Sequence, residues 1–125
     1  MNDIIQKNVF GEALEECSKN PLTGWFRDGC CNTDKNDLGV HTVCVKVNNA
    51  FLEWSRKVGN DLITPRPRFG FPGLKDGDAW CICASWYEQS INDGTACPVY
   101  LKRTNEKTLK LISLEKLKKF AIDLS

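Results

Sequence analysis

Apolar and polar residues alternate over residues 41–47, which read HTVCVKV. A period of two is typical of a strand with one buried face, so this segment predicts a half-buried strand. In a regular strand His41 and Cys44 face opposite sides, which argues against both side chains binding the same ion.

A helix is predicted directly after this strand, in the residues FLEWSRKV at 51–58. Its main apolar positions recur at helical spacing, which places them on one face. Asn48 or Asn49 can cap the start of this helix, and Gly59 supplies the left-handed residue that commonly ends one.

Turn-forming residues dominate two other parts of the chain. The first forty residues contain so many of them that we predict short strands and loops there, without long helices. Residues 59–79 contain three prolines and four glycines, so neither a regular helix nor a regular strand can run through them. Their aromatic residues favour an ordered loop, and irregular connections of this length are commonly functional.

The remaining elements follow from the same patterns. We predict a strand over 80–83, a helix over 84–91, a late hairpin of strands over 99–103 and 108–112, and a final helix after a Ser113 cap. The final helix would carry one apolar stripe made of Leu114, Leu117, Ala121 and Leu124. Short strands mixed with about three helices and one long ordered loop indicate a small α+β domain.

Length and composition indicate one globular domain, which we take to span 1–125, with 42% hydrophobic and 26% charged residues. A net charge of +1 is too small for a general nucleic-acid binder, so a nucleic-acid partner is not expected. No apolar run approaches the roughly 20 residues of a membrane span, so a membrane is not expected either. Asp3, with no apolar stretch after it, argues against a signal peptide. We therefore expect a cytoplasmic protein whose thiols stay reduced.

Seven cysteines stand at 17, 30, 31, 44, 81, 83 and 97, and none forms the Cys-x-x-Cys pair of a zinc knuckle. Three uses stay open for them: packing as small apolar side chains, a metal site, or a reactive thiol. Packing has the most support, because free cysteine is among the most buried residue types. For a zinc-like site, the candidate ligands are Cys30, Cys31, His41, Cys44, Cys81 and Cys83.

His41 is the only histidine, and so the only ordinary general base near neutral pH. Paired with Cys30 or Cys31, whose loop contains Arg27 to favour a thiolate, it would define a thiol-dependent enzyme or redox protein. The alternative is a histidine at a strand start that hydrogen-bonds to the backbone. The chain has no nucleophile elbow and no phosphate-binding glycine motif, so a nucleotide cofactor is not expected.

The segment GNDLITPRPRFGFPGLKDGDAW at 59–80 is the best candidate for a binding site. Its polar side chains alternate with aromatic ones, as small-molecule and peptide sites require. Its two arginines could hold a carboxylate or phosphate, and the alternative is a structural loop with solvated arginines. The candidate ligand-binding residues are Asp61, Thr64, Arg66, Arg68, Asp78 and Trp80.

Several sequence blocks carry a resemblance to a known family. They are NVFGEALEEC (8–17), TGWFRDGCCNT (23–33), GVHTVC (39–44), the segment from FLEW to CASW (51–86) and LEKLKKFA (114–121). On these blocks the chain resembles a mainly bacterial family of small proteins known only as a domain of unknown function. The resemblance implies a stand-alone domain and implies no activity or cofactor. Cys97 lies outside the blocks and is therefore the first choice for a dispensable thiol.

Together, these observations predict a cytoplasmic α+β protein that binds an unknown small molecule or protein. Its site would join the GCC loop at 29–31, His41 and the proline-aromatic segment. A Cys/His metal-binding protein and a thiol-dependent enzyme are the two alternatives.

Overall fold

A computed structural model describes residues 6–124 of the chain. Asp3, on which the expectation about a signal peptide depends, lies outside the described residues. Within the described part, two strands and three α-helices form a small α+β domain, as predicted. None of the described helices is both long and apolar enough to cross a membrane.

The sheet consists of two antiparallel strands, β1 (His41–Lys46) and β2 (Ala79–Cys83). Both strands lie where the sequence predicted them. Cys44 is directly opposite Cys81 in the sheet, and a bulge interrupts the register near the start of β1. Directly opposite residues of an antiparallel pair point to the same face, so the register sets these two cysteines side by side.

The two longer helices also agree with the sequence pattern: α1 (Asn49–Lys57) follows β1, and α2 (Ala84–Asn92) follows β2. The Asn48 side chain caps α1 by accepting a hydrogen bond from the Phe51 N–H at 2.9 Å. Phe51 and Tyr87, one from each helix, are fully buried. They pack with the valines of β1 in the main hydrophobic core.

The predicted late hairpin is wrong: two short 3₁₀ helices, Leu101–Arg103 and Glu106–Lys110, occupy that region. The chain runs along the free edge of β1 there, and the Tyr100 N–H donates to the Cys44 carbonyl at 2.8 Å. The residues that would have formed the hairpin therefore cover an open sheet edge instead of pairing with each other.

The final helix is shorter than predicted, since α3 spans Leu114–Lys118. After α3 the chain turns back toward Val99, whose N–H donates to the Phe120 carbonyl at 2.9 Å. The Ile122 N–H donates in turn to the Val99 carbonyl at 3.0 Å. This backbone pairing replaces the last predicted helical turns.

Residues 6–40 form turns and isolated bridges, and none of them belongs to a strand or helix. The loops predicted for this segment are confirmed, and the short strands predicted within it are wrong. Two disulfide bonds, Cys17–Cys44 and Cys31–Cys81, tie the segment to the sheet.

The long proline-rich loop packs against the core through Phe71, which is buried. The ring of Phe71 meets the ring of Trp80 edge to face, at a centroid distance of 5.2 Å. One 3₁₀ turn, Pro67–Phe69, interrupts the otherwise irregular backbone. The loop thereby lies beside the end of the sheet that carries the candidate site.

Candidate ligand-binding cleft

His41 forms a close pair with Asp37, four residues before it in the chain. The buried Asp37 carboxylate accepts hydrogen bonds from the His41 backbone N–H at 2.8 Å, from His41 Nδ1 at 2.6 Å and from Thr33 Oγ1 at 2.9 Å. Burial by itself would raise the pKa of Asp37, but these hydrogen bonds outweigh it and hold the pKa below its usual value. Because an ionised carboxylate only accepts hydrogen bonds, Nδ1 carries a proton and Nε2 is left for another partner.

A strained turn before His41 sets the direction of the imidazole. Val40 has a φ of 51°, in the left-handed region that β-branched residues rarely adopt. Its N–H donates to the Asp37 carbonyl, and its own carbonyl accepts from the Ala84 N–H, both at 3.0 Å. A Cβ atom on Gly39 would lie 2.7 Å from His41 Cε1, so the ring lies directly on the glycine backbone.

Two residues of the N-terminal segment lie against this part of the sheet. The indole of Trp25 stacks on the His41 ring, with ring centroids 6.1 Å apart and planes 8° apart. Arg27 donates from Nη1 to the Gly24 carbonyl at 2.9 Å, and its guanidinium lies 5.3 Å from the centre of the Trp80 ring. These contacts use one of the five guanidinium N–H groups, which leaves others for a ligand.

These side chains line an open cleft of about 420 Å³. Its aromatic walls are Trp25, Phe69 and Trp80, and its polar groups are Arg27 and His41. The volume lies within the usual range of small-molecule sites, and apolar walls with a few polar groups are typical of such sites. The cleft brings together parts of three segments: the stretch before the GCC loop, His41 and the proline-rich loop.

Trp80 is the one predicted ligand-binding residue that lines this cleft. Thr64 donates to the Asp61 carboxylate from Oγ1 at 2.6 Å and from its N–H at 3.1 Å, and these bonds lower the pKa of Asp61 to about 2. Asp78 accepts from the Lys75 N–H at 3.0 Å and lines a separate depression. Asp61, Thr64 and Asp78 therefore stabilise turns of the loop.

Arg66 and Arg68 are exposed on the same loop. The backbone of Arg66 pairs with Phe71, with N–H to carbonyl distances of 2.7 and 3.1 Å. Neither guanidinium forms an ion pair with any residue in the described range 6–124. The guanidinium that lies in the cleft is that of Arg27.

Four cysteines form disulfide bonds, contrary to the expectation that the thiols are reduced. The S–S distance is 2.00 Å between Cys17 and Cys44 and 2.04 Å between Cys31 and Cys81. The partners are 27 and 50 residues apart in the chain, yet their Cα atoms lie 5.7 and 5.5 Å apart, as disulfide geometry requires. Of the candidate metal ligands, three are thus bonded to other cysteines.

Cys30 and Cys83 have free thiols. Burial and the nearby carboxylates raise the pKa of the Cys30 thiol, and the sulfur of Cys31 is already bonded. Of the two thiols proposed for a Cys–His catalytic pair, Cys31 is thus disulfide-bonded and Cys30 has a raised pKa. Cys83 lies opposite His41 in the sheet, with its Sγ 3.2 Å from Ser85 Oγ.

The third free thiol, Cys97, is fully buried in the main core. The Tyr87 hydroxyl donates to the Cys97 carbonyl, and burial raises the pKa of both side chains. Cys97 is thus a packed core residue, and its being dispensable stays a prediction.

Sequence reasoning did not place Trp25 or Asp37 at the site, whereas Phe69 is one of the aromatic residues of the loop expected beside its polar groups. Trp25 precedes the GCC loop, so it lies next to a segment that the sequence singled out. For Asp37, the available signal was a carboxylate four residues before the only histidine. That signal is weak, because turn-forming aspartates are common in such segments.

The fold and the cleft define a small α+β domain with a partly open aromatic site. Residues 7–121 match the model of the family described as "Uncharacterized protein conserved in bacteria (DUF2237)". Because the match spans nearly the whole chain, the protein belongs to this family, which confirms the resemblance found in the sequence. No curated protein matches the chain.

Proposed function

We propose that the protein is a binding module for a small molecule that combines a flat apolar group with a negative charge. The observation that carries this proposal is the convergence of Arg27 and His41 with three aromatic side chains in one cleft. Phe69 is 69% exposed and Trp25 is 42% exposed. A flat apolar group that covered them would remove apolar surface from water and stack on the rings.

The polar groups of the cleft favour an anion. Arg27 is held by its bond to the Gly24 carbonyl and by its position over Trp80, so binding a carboxylate would order the side chain little further. Arginine and carboxylate or phosphate form strong charge-assisted hydrogen bonds. Asp37 orients the His41 imidazole, and with the proton on Nδ1 the Nε2 of the neutral ring accepts a hydrogen bond, so it would contact a donor group of the ligand beside the anion held by Arg27.

Backbone strain at the cleft supports the same location. Arg27, with a φ of 54°, and Val40, with a φ of 51°, are the non-glycine residues with positive φ in the described range 6–124. Such conformations cost roughly 1–3 kcal/mol each and cluster at binding and active sites. One of these residues lines the cleft and the other directly precedes His41.

Benzoate is a suitable first probe, and benzyl alcohol is its uncharged match. In nitrogen-15 NMR spectra, millimolar benzoate should shift the indole N–H signals of Trp25 and Trp80. Benzyl alcohol should bind at least about 10-fold more weakly, since a hydrogen bond to a charged group contributes about 1.5–3 kcal/mol. Phenyl phosphate tests whether the anion is a phosphate.

Two arginine variants test which guanidinium binds the carboxylate of benzoate. Arg27→Gln should weaken benzoate binding at least about 10-fold. Arg68→Gln, on an exposed part of the loop, should leave it unchanged. Equal binding of benzoate and benzyl alcohol, or unchanged binding by Arg27→Gln, would contradict anion recognition, and the absence of any shift would contradict the site.

We also propose a cytoplasmic location, with a direct consequence for the cysteines. Cytoplasmic reductants keep thiols reduced, so the two disulfide bonds would there be replaced by four thiols. Alkylation in denaturant at the moment of cell lysis measures this, because unfolding also exposes the buried thiols: all seven cysteines should be modified. Modification of only the three free cysteines would contradict the proposal.

A further inference from the structure

The two disulfide bonds form one buried sulfur cluster. Its four cysteines are at most 4% exposed and pack together, apart from the main core. The sulfurs of Cys17, Cys31 and Cys81 lie within 4.8 Å of one another, and the sulfur of Cys44 is bonded to that of Cys17. The bonds are therefore two links within a single group of four sulfurs.

Contacts that do not involve sulfur hold the backbone around this cluster. Cys44 and Cys81 face each other across β1 and β2. The Cys81 N–H donates to Thr23 Oγ1 at 2.9 Å, and the Cys44 N–H donates to Thr104 Oγ1 at 3.1 Å. The Cys17 N–H donates to the Gly29 carbonyl at 2.7 Å, and the Cys31 carbonyl accepts from Asn105 Nδ2 at 3.1 Å. All these hydrogen bonds remain available after the disulfides are reduced, so the four side chains would stay close together.

We propose that, when both disulfide bonds are reduced, this cluster binds one zinc ion through four thiolates. The ligands are Cys17, Cys31, Cys44 and Cys81. Tetrahedral zinc with Zn–S bonds of about 2.3 Å sets its sulfurs about 3.8 Å apart. Three of the sulfurs already lie within 4.8 Å of one another, so the main change is the separation of the two bonded pairs.

Reduction by an external dithiol precedes metal binding. One dithiol molecule gives two electrons and two protons to each disulfide bond and itself becomes a cyclic disulfide. Zn²⁺ then replaces the four thiol protons, which pass to solvent. The resulting centre carries two negative charges, so a nearby cation would stabilise it.

Arg103 supplies such a cation. Its Nη1 donates to the Cys17 carbonyl at 3.4 Å, and its guanidinium lies 4.2 Å from the centre of the Tyr100 ring. Tyr100 packs against the sulfur cluster. The positive charge is thereby held beside the sulfurs by two contacts.

This ligand set differs from the one considered from the sequence. It adds Cys17 and omits His41, whose Nδ1 is occupied by Asp37. It also omits Cys30 and Cys83, which lie outside the buried cluster. These two thiols therefore serve as matched controls. Cys81 also lines the proposed ligand cleft, but the zinc proposal does not rest on ligand binding there.

Cobalt(II) added to anaerobically reduced protein tests the proposal. One Co²⁺ per chain should bind, with the absorption of a tetrahedral ion and thiolate-to-metal charge transfer, and Zn²⁺ should displace it. A Cys30→Ser/Cys83→Ser variant should behave as the wild type. Cys81→Ser should weaken Co²⁺ binding by more than the 10–100-fold that changes around a ligand cost.

Binding of less than a few tenths of an equivalent of Co²⁺ by wild-type protein would overturn the proposal. Loss of binding in the Cys30→Ser/Cys83→Ser variant would also overturn it. If Cys81→Ser fails to fold, Co²⁺ binding by the wild type and by the Cys30→Ser/Cys83→Ser variant still tests the proposal. The same absorption from urea-unfolded protein would show that no folded site is involved.

Discussion

The carboxylate of Asp37 accepts hydrogen bonds from both the backbone N–H and the imidazole Nδ1 of His41. One buried acidic side chain therefore fixes the start of β1 and the orientation of the only histidine. Because the carboxylate takes part in folding as well as in the candidate cleft, its ionisation links stability to pH.

Replacing Asp37 by Asn should destabilise the protein more near neutral pH than in acid. The pKa of Asp37 in the folded protein is lower than its ordinary value of about 4. Its carboxylate therefore stabilises the fold above about pH 4, and this contribution is lost as the pH falls through the lowered pKa. We expect Asp37→Asn to lower the free energy of unfolding by about 1–3 kcal/mol near neutral pH.

Urea unfolding of both proteins between neutral and acidic pH measures this difference. The gap between wild type and Asp37→Asn should narrow below about pH 4. Glu12→Gln, which alters an exposed carboxylate, should produce no such gap. A gap that stays constant over the whole range would show that the ionisation of Asp37 contributes nothing to stability.

Thiol titration of the oxidised protein should separate its three free cysteines. Cys30 and Cys83 are partly exposed and should react with an aromatic disulfide reagent in the native state. Cys97 is fully buried with a raised pKa, so it should react only after unfolding in denaturant. Five reactive thiols in unfolded but unreduced protein, instead of three, would show that one disulfide bond is missing.

Truncation of two phenylalanines in the proline-rich loop should change stability by very different amounts. Phe71 is buried against Trp80, so Phe71→Ala should lower the free energy of unfolding by about 3–5 kcal/mol. Phe69 is mostly exposed, and Phe69→Ala should change it by less than about 0.5 kcal/mol. Arg66→Ala and Arg68→Ala should likewise change the free energy of unfolding by less than about 0.5 kcal/mol.

Thermal and urea unfolding check these values. A large loss from Phe69→Ala or from the arginine variants would mean that the outer part of the loop supports the fold. Benzoate binding supplies a second readout, since Phe69→Ala should weaken it without changing stability.

A methyl group at Gly24 should disturb the cleft. Gly24 has a φ of +102°, and a Cβ atom there would overlap the carbonyl oxygen of Cys30. Gly59 is its match, with a φ of +111° and open space around it. Both alanine variants strain the backbone, and Gly24→Ala adds a steric clash, so it should cost about 1–3 kcal/mol more in the free energy of unfolding.

Urea unfolding of the two variants gives the comparison. Equal losses of unfolding free energy in Gly24→Ala and Gly59→Ala would show that the backbone at Gly24 shifts to accept the methyl group. Because the Gly24 carbonyl holds Arg27 Nη1, such a shift should also appear as weaker benzoate binding.

The pattern of residues along the chain was enough to predict the two strands and the two longer helices. The alternation in β1 and the helical spacing in α1 involve residues close together in the chain. Such short-range patterns can be recognised without knowing the tertiary structure. The Asn48 cap is equally local, since it acts on an N–H three residues away. Membership of the family was also visible in the sequence blocks.

The covering of the sheet edge, the disulfide bonds and the cleft arise from contacts between residues far apart in the chain. The residues predicted as a hairpin cover the edge of β1 instead, because the backbone N–H and C=O groups of an open strand edge need partners. The local sequence pattern does not show that this edge is open. Arg27 was expected to activate Cys30 or Cys31, yet its guanidinium lies over Trp80. Cys31 and Cys81 are 50 residues apart, and no spacing rule specifies a contact created when a loop folds onto a strand of the sheet.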